Sequence, residues 1–220
     1  MFLKSRFVFV VFFTDCGVNV DTVKKDDESW QSDIDHLSWL DIAGLNCFNG
    51  KGILDLGCGS GYICHKAMQD GATHAVGIDI VSPAKSYQDS FDFRSLNLDD
   101  ANWHQSVDEK FDLILAFDIL EHLASPYWLL QSSRQLLSKN GVLVVTTPNT
   151  LSWERFVKPE TWSGVTDPQH KTLFSKYSLK FLLSKVGFQK IALSAPMRSL
   201  KKLGPLQPQC GGQILAVASL

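Results

Sequence analysis

The sequence predicts an α/β protein: a doubly wound, mostly parallel sheet of seven strands with the last strand antiparallel, preceded by an N-terminal helical cap. Three observations predict it. Apolar runs alternate with amphipathic segments along most of the chain, which is the pattern of strand–helix–strand units. The run "FDLILAFDIL" is almost wholly apolar, as a strand covered on both faces must be. The last two apolar runs, "FQKIALSA" and "GQILAVASL", have only a loop between them, so they pair antiparallel.

The first element is the cap helix. "WQSDIDHLSWLDIAGL" lies within residues 26 to 48, and Trp30, Ile34, Leu37 and Leu40/Asp41 fall near helical spacing. "GILDLGC" is a buried strand that meets a glycine turn, and a helix runs from 61 to 70, ending at Gly71. "HAVGIDI" and "DFRSLNL" are the second and third strands, and "FDLILAFDIL" is the fourth. Ser125-Pro126 opens a helix with Leu129, Leu130, Ser133, Leu136 and Leu137 on one side, and Asn140-Gly141 is its expected stop. "VLVVTTP" is the fifth strand, and residues 149 to 172 read as irregular. "SKYSLKFLLSKVGF" is a helix with Leu179, Leu182, Leu183 and Val186 as its stripe and Gly187 at its end. A Pro/Gly/Lys-rich loop, 197 to 212, separates the last two strands. The expected division is a 1–48 extension and cap, then a 49–220 domain.

Composition narrows the class. A length of 220 residues with 45% apolar content suits one domain, or one domain and a cap, with a sizeable core. A net charge of -2 gives no electrostatic case for nucleic acid or an anionic membrane. The five cysteines, Cys16, Cys47, Cys58, Cys64 and Cys210, form no CxxC pair, which fits a reducing cytoplasm better than a disulfide scaffold. No apolar run approaches a membrane span. The N-terminus has Lys4 and Arg6 before the apolar Phe7 to Phe13, like the start of a signal peptide, but "TDCG" comes next with no small-x-small cleavage site. A buried strand or docked extension suits this segment better.

Parallel sheets of this kind bind ligands beyond the carboxyl ends of their strands, where the strand order reverses. The turn Gly57-Cys58-Gly59-Ser60-Gly61 lies there. Asp55, two residues before it, would repel a phosphate and suits a ligand carrying a cation. Asp79, at the end of the second strand, can accept hydrogen bonds from two ribose hydroxyls. A ribose, an ammonium and no phosphate point to S-adenosylmethionine.

At these residues the chain resembles class I S-adenosylmethionine-dependent methyltransferases. "ILDLGCGSGY", "VGIDI", "FDLILAFDILEHL" and "LLSKNGVLVVTTPN" are similar to that superfamily's successive motifs, in order. The resemblance implies that Gly57, Cys58, Gly59, Gly61 and Tyr62 pack against the cofactor and that Asp55 faces its amino-acid end. It also implies that Asp79 holds the ribose, Ile80 and Leu98 lie by the adenine, and Phe117 and Asp118 close the site. Asn97 stands where the family usually has an acidic residue near the adenine amine, and its amide oxygen can still accept a hydrogen bond.

Within the superfamily, "FDILEHL" is similar to the branch of ubiquinone-biosynthesis O-methyltransferases and related small-molecule enzymes. It is also similar to RNA 2′-O-methyltransferases that act on the 3′ ends of small RNAs. Both carry an acidic-x-x-Glu-His pattern associated with a divalent metal. Here the pattern is Asp118, Glu121 and His122, and the RNA group adds a downstream histidine in a His-Lys context, matched by His170. On a helical turn, positions i, i+3 and i+4 share one face, so three donors converge. Three roles remain open: metal ligands that acidify a hydroxyl acceptor, His122 as general base with Glu121 orienting it, or packing over the cofactor. His36, on the cap helix, is a surface or half-buried residue or else lines the acceptor site, and His65, His74 and His104 read as helix-face or loop residues.

The resemblance implies methyl transfer to the hydroxyl of a small or lipid-like acceptor, such as a quinone precursor, a phenol or a sugar. The alternatives are an RNA 2′-O-methyltransferase and a non-catalytic cofactor-binding subunit. Trp30, Trp39, Trp153, Phe156 and Trp162, outside the core motifs, are candidates for the acceptor wall. Arg198, Lys201 and Lys202 form a small basic cluster in a solvated loop. A cytoplasmic location, peripheral to a membrane or not, is expected; oligomeric state is not readable.

Overall fold

The computed structural model describes residues 30–197 and 207–220, with side chains from Asp35 onward. The expectations for Lys4 to Phe13, the Trp30 side chain and the Arg198/Lys201/Lys202 cluster lie outside the described residues. Contacts divide the chain at Cys47/Phe48 into two compact units. In the first, helix α1 runs Trp30–Ala43, with Leu37, Trp39 and Leu40 buried and Asp41 and Ile42 exposed. No described helix is long and apolar enough to cross a membrane.

The second unit is a seven-stranded sheet. Its strands are β1 (Gly52–Leu56), β2 (His74–Asp79), β3 (Asp92–Ser95), β4 (Phe111–Phe117), β5 (Leu137–Pro148), β6 (Lys190–Ser194) and β7 (Gln213–Ser219). They lie in the order β3-β2-β1-β4-β5-β7-β6. β1, β2, β3, β4 and β5 pair parallel. β7 runs antiparallel to both neighbours, β5 and β6. The expected doubly wound sheet with its final antiparallel strand is thus the observed one.

The central strands are apolar because helices cover both faces. All five residues of β1 are buried, and so are Leu113 to Phe117 of β4. Leu54, Leu56, Ile78, Ile114 and Leu143 join one core cluster with Leu129 and Leu130 of α3 (Pro126–Leu136). Truncating such a leucine to alanine costs about 2–5 kcal/mol, so this cluster fixes the strand tips on which the site depends. Helix α2 (Tyr62–Gln69) comes directly after the glycine turn, and α6 (Lys176–Val186) opens with a Ser175/Ser178 capping box and ends at Gly187, φ 103°.

Two expectations are corrected. Helix α3 stops at Leu136, not at Asn140-Gly141. Leu137 is already extended and pairs with Phe111, and the register jumps so that Val142 pairs with Leu113. Residues 138–141 are therefore accommodated in an irregular stretch of β5, where pairing overrides local helix propensity. The segment 149–172 is not wholly irregular. It holds helices α4 (Trp153–Val157) and α5 (Ser163–Thr166) with a 3-10 turn, Pro159–Thr161, between them. Ser152 caps α4, its hydroxyl accepting from the Arg155 N–H at 3.3 Å.

Candidate functional site

The parallel strands β1, β2 and β4 end on the same side, and the segments leaving their carboxyl ends build the site. β1 runs into the glycine turn, where Gly57, Gly59 and Gly61 have φ of 77°, 50° and 81°. The Gly57 and Cys58 N–H groups donate to the Ile78 carbonyl at 2.8 and 3.1 Å, tying the turn to β2. Gly61 must be glycine on two counts. Its φ disfavours any side chain, and a Cβ there would meet Phe91 at 2.5 Å. Gly59 faces open space, so its backbone is bare to a ligand.

Asp79, the last residue of β2, braces this turn. Its Oδ2 accepts from the Gly59 N–H and its Oδ1 from the Val81 N–H, each at 3.0 Å. A carboxylate offers about four acceptor positions, so two further hydrogen bonds remain available. Beside it Ile80 and Val81 are 72% and 64% exposed, an apolar step next to a polar anchor. Asp55 is buried within β1 between Gly77 of β2 and Leu115 of β4. Burial, then the Asp55 charge, pushes the Cys58 and Cys64 thiols well up, so both remain neutral. The described Cys47, Cys58, Cys64 and Cys210 are all free thiols.

A cavity of about 430 Å³ opens beside these groups. Gly57, Asp79 and Ile80 line one part, Leu96 to Asp99 a second, Ile119, His122 and Leu123 a third, and Pro168, Gln169 and Lys171 a fourth. It therefore brings together six residues singled out in the sequence: Gly57, Asp79, Ile80, Asn97, Leu98 and His122. Asn97 is exposed, and its Oδ1 accepts from the Asp99 N–H at 3.0 Å. Cys58, Tyr62 and Phe117 are buried and are not among the lining residues. Of the aromatic candidates for an acceptor wall, Trp153 and Phe156 are exposed, whereas Trp162 is buried with Arg155 over its ring.

The acidic-x-x-Glu-His stretch folds differently from expectation. Asp118 is left-handed, φ 48°, the one non-glycine with positive φ among the described residues. A 3-10 turn, Leu120–His122, comes next. The expected helical turn with Asp118, Glu121 and His122 on one face is therefore not formed. Asp118 instead accepts from Thr146 Oγ1 at 2.9 Å. The residues that do converge are Glu121, His122 and His170, whose ligand atoms lie within 4.8 Å of one another. The two imidazoles meet edge to face at 4.7 Å between centroids.

Electrostatics separates these three. Glu121 is buried, and burial followed by the nearby Asp118 charge pushes its carboxyl up to about 8. Its Oε2 accepts from Thr147 Oγ1 at 2.9 Å, so it is held by Thr147 and not by His122. Burial, then the neighbouring His170, lowers His122 below the usual imidazole range, so it is neutral near pH 7. Its Nδ1 is buried without a hydrogen-bond partner. His170 is held by the Gly164 carbonyl at 3.2 Å and lies 3.7 Å from Asp167.

Sequence reasoning did not find Ile119, Asp99, Pro168, Gln169 or Lys171 as part of this cavity. Lys171 was visible only as the neighbour of His170, and its partner Asp99 lies 72 residues away, a separation no local pattern reports. The remaining histidines have structural partners. His65 bonds Ser90, His104 bonds Ser132, and His74, which opens β2 and is no loop residue, stacks on Phe111.

Comparisons with known proteins agree with this geometry. A family model described as a methyltransferase domain matches residues 24–193. A ubiquinone biosynthesis O-methyltransferase of Bradyrhizobium diazoefficiens is 30% identical over 123 residues, 52% of this chain and 46% of that protein. One of Actinobacillus pleuropneumoniae is 34% identical over 110 residues, 46% of this chain and 47% of that protein. The chain thus spans about half the length of the curated relatives it matches. Among solved structures, an S-adenosylmethionine-dependent methyltransferase of Archaeoglobus fulgidus superposes with a TM-score of 0.64 at 18% identity, covering 87% of this chain and 99% of that one. Magnesium protoporphyrin IX methyltransferase of Synechocystis, solved with bound S-adenosylhomocysteine, gives 0.57 at 16% identity, covering 86% and 83%. With the family model matched across most of its length and the sheet order in place, the chain belongs to the class I S-adenosylmethionine-dependent methyltransferases.

Proposed function

We infer that the chain methylates a hydroxyl group on a small or lipid-like acceptor, with a phenol or quinone precursor as the leading case. The observation that carries this reading is the position of His122: an imidazole held neutral by burial, lining the same cavity as Gly57 and Asp79. The relatives named ubiquinone biosynthesis O-methyltransferases support the acceptor class.

The residues fit the cofactor. Gly57 and Gly59 offer backbone without side chains, Asp79 has acceptor capacity for ribose hydroxyls, and Ile80 and Leu98 offer apolar surface for the adenine, with Asn97 at its edge. Asp55, behind the turn, supplies negative charge toward a cationic ligand. S-adenosylmethionine, when bound, supplies a methyl group already activated on a sulfonium. What remains for the protein is alignment and proton transfer. A hydroxyl is a poor nucleophile until its proton leaves, and His122 lines the cavity in the neutral form that can take that proton.

A second reading rests on the Glu121/His122/His170 cluster. One carboxylate and two imidazoles suit zinc, manganese or iron. A cation there would hold Glu121 ionised and acidify the acceptor hydroxyl in place of a base. Asp118, engaged with Thr146, is outside this donor set.

The test is product formation with a panel of phenols, amines and carboxylic acids, on protein stripped with EDTA and on protein given divalent metal. Turnover confined to hydroxyl acceptors is expected. Preferential methylation of amines or carboxylates would overturn the reading. Activity that survives EDTA favours His122 as base, and activity lost to EDTA and restored by zinc or manganese favours the metal.

A further inference from the structure

Stretches far apart in sequence meet at the rim of the cavity, and one carboxylate fastens them. Asp99, just after β3, accepts from the Ala124 N–H through Oδ1 at 2.7 Å. Through Oδ2 it accepts from Lys171 Nζ at 3.1 Å. The Lys171 and Thr172 N–H groups in turn donate to the Glu121 carbonyl at 2.7 and 3.1 Å. The loop after β3, the turn after β4 and the 168–172 segment therefore form a closed ring of fastenings. Asp99, Leu123 and Lys171 all line the cavity itself. Burial alone would raise the Asp99 carboxyl, but its hydrogen bonds, that from Lys171 first, outweigh this and hold it below the usual carboxylate range.

The links are unequal. The backbone bonds to the Glu121 carbonyl are fixed by chain geometry. The Lys171 side chain is 52% exposed and that of Asp99 26%, so their attraction is screened by salt and is the one that opens first. Leu96–Asp99 and Pro168, Gln169 and Lys171 all line the cavity, so parting the two stretches would widen it.

We propose that the Asp99–Lys171 ion pair is a clasp across the cofactor cavity that sets how fast the cofactor product leaves, with Asp99 as the positioning residue that carries it. This rests on the reading that the cavity receives S-adenosylmethionine. The clasp acts on cofactor exchange.

Stopped-flow release of S-adenosylhomocysteine tests it. Lys171→Met and Asp99→Asn should each speed release roughly two- to fivefold, the range expected for a half-exposed pair. Asparagine keeps one acceptor oxygen for the Ala124/Ser125 backbone N–H groups, and Lys171→Met removes the ion pair without touching them. The double variant should release no faster than either single one, because both remove the same link. Lys171→Arg should behave as wild type. Raising salt to roughly 0.5 M should speed wild-type release and leave Lys171→Met unchanged. In the ligand-free protein, amide hydrogen exchange at Lys171 and Thr172 should quicken in both single variants. Unchanged release, or additive effects in the double variant, would overturn the clasp. So would faster exchange without faster release, since the pair would then be a rim fastening off the ligand's path. If Asp79→Ala instead leaves S-adenosylhomocysteine affinity intact, the cofactor reading of the cavity fails, while the exchange measurement still judges the ion pair.

Discussion

Replacing His122 with alanine is expected to lower kcat by roughly 10²-fold or more while leaving the S-adenosylhomocysteine Kd within about twofold of wild type. The separation arises from where His122 sits. It lines the cavity from the turn after β4, whereas Asp79 and Gly57 come from the ends of β2 and β1. Removing it takes away a proton acceptor and leaves the Asp79 and glycine-turn groups that anchor the cofactor in place. The pH profile sharpens the test. Burial, then His170, lowers the His122 pKa, so wild-type kcat/KM should rise with pH through a value below the ordinary imidazole range of about 6.5 and then level. That limb should vanish in His122→Ala. Full activity in the variant would leave His122 as a packing residue.

The second large effect is on stability. Glu121→Gln should raise the melting temperature above pH 8 in EDTA. The carboxyl titrates at about 8 in the folded protein against an ordinary glutamate value of 4.5. The folded state therefore holds an extra proton between these values. The stability that this proton supports is fully present below the unfolded pKa and is lost as pH rises toward 8. Each tenfold difference in proton affinity between the folded and unfolded chain corresponds to about 1.4 kcal/mol, so the loss at pH 9 is of the order of a few kcal/mol, several degrees for a protein of this size. Glutamine retains an oxygen for the Thr147 hydroxyl bond and carries no charge to bury. Matching melting curves for the two proteins from pH 5 to pH 9 would contradict the assigned environment. If zinc stabilises wild type but not the variant, the metal reading gains its direct support.

The fold is legible in the sequence because its signals are local. The apolar run of β4, the glycine turn after β1 and Gly187 after α6 each declare themselves within a few residues. The α3 boundary does not, because helix propensity across 137–140 competes with strand pairing to Phe111, an interaction absent from any local window. The candidate site divides the same way. Asp79 and the glycines are found from spacing. The Glu121/His122/His170 grouping is visible in part, but the left-handed backbone at Asp118 that removes it from the group is not. Nothing near Asp99 in sequence indicates that Lys171 closes on it. Such contacts arise from topology, which brings the β3 loop and the segment after β5 to one end of the sheet.

The methyltransferase chemistry depends on the cavity at the ends of β1, β2 and β4 holding the cofactor through Asp79. Calorimetric titration of wild type and Asp79→Ala with S-adenosylhomocysteine measures this without a known acceptor. Wild type should bind, and Asp79→Ala should lose about 1–3 kcal/mol, roughly five- to 150-fold in Kd, because charge-assisted hydrogen bonds to the ribose and the brace on Gly59 go together. Equal affinity in the two proteins would contradict the assignment and place the cofactor elsewhere.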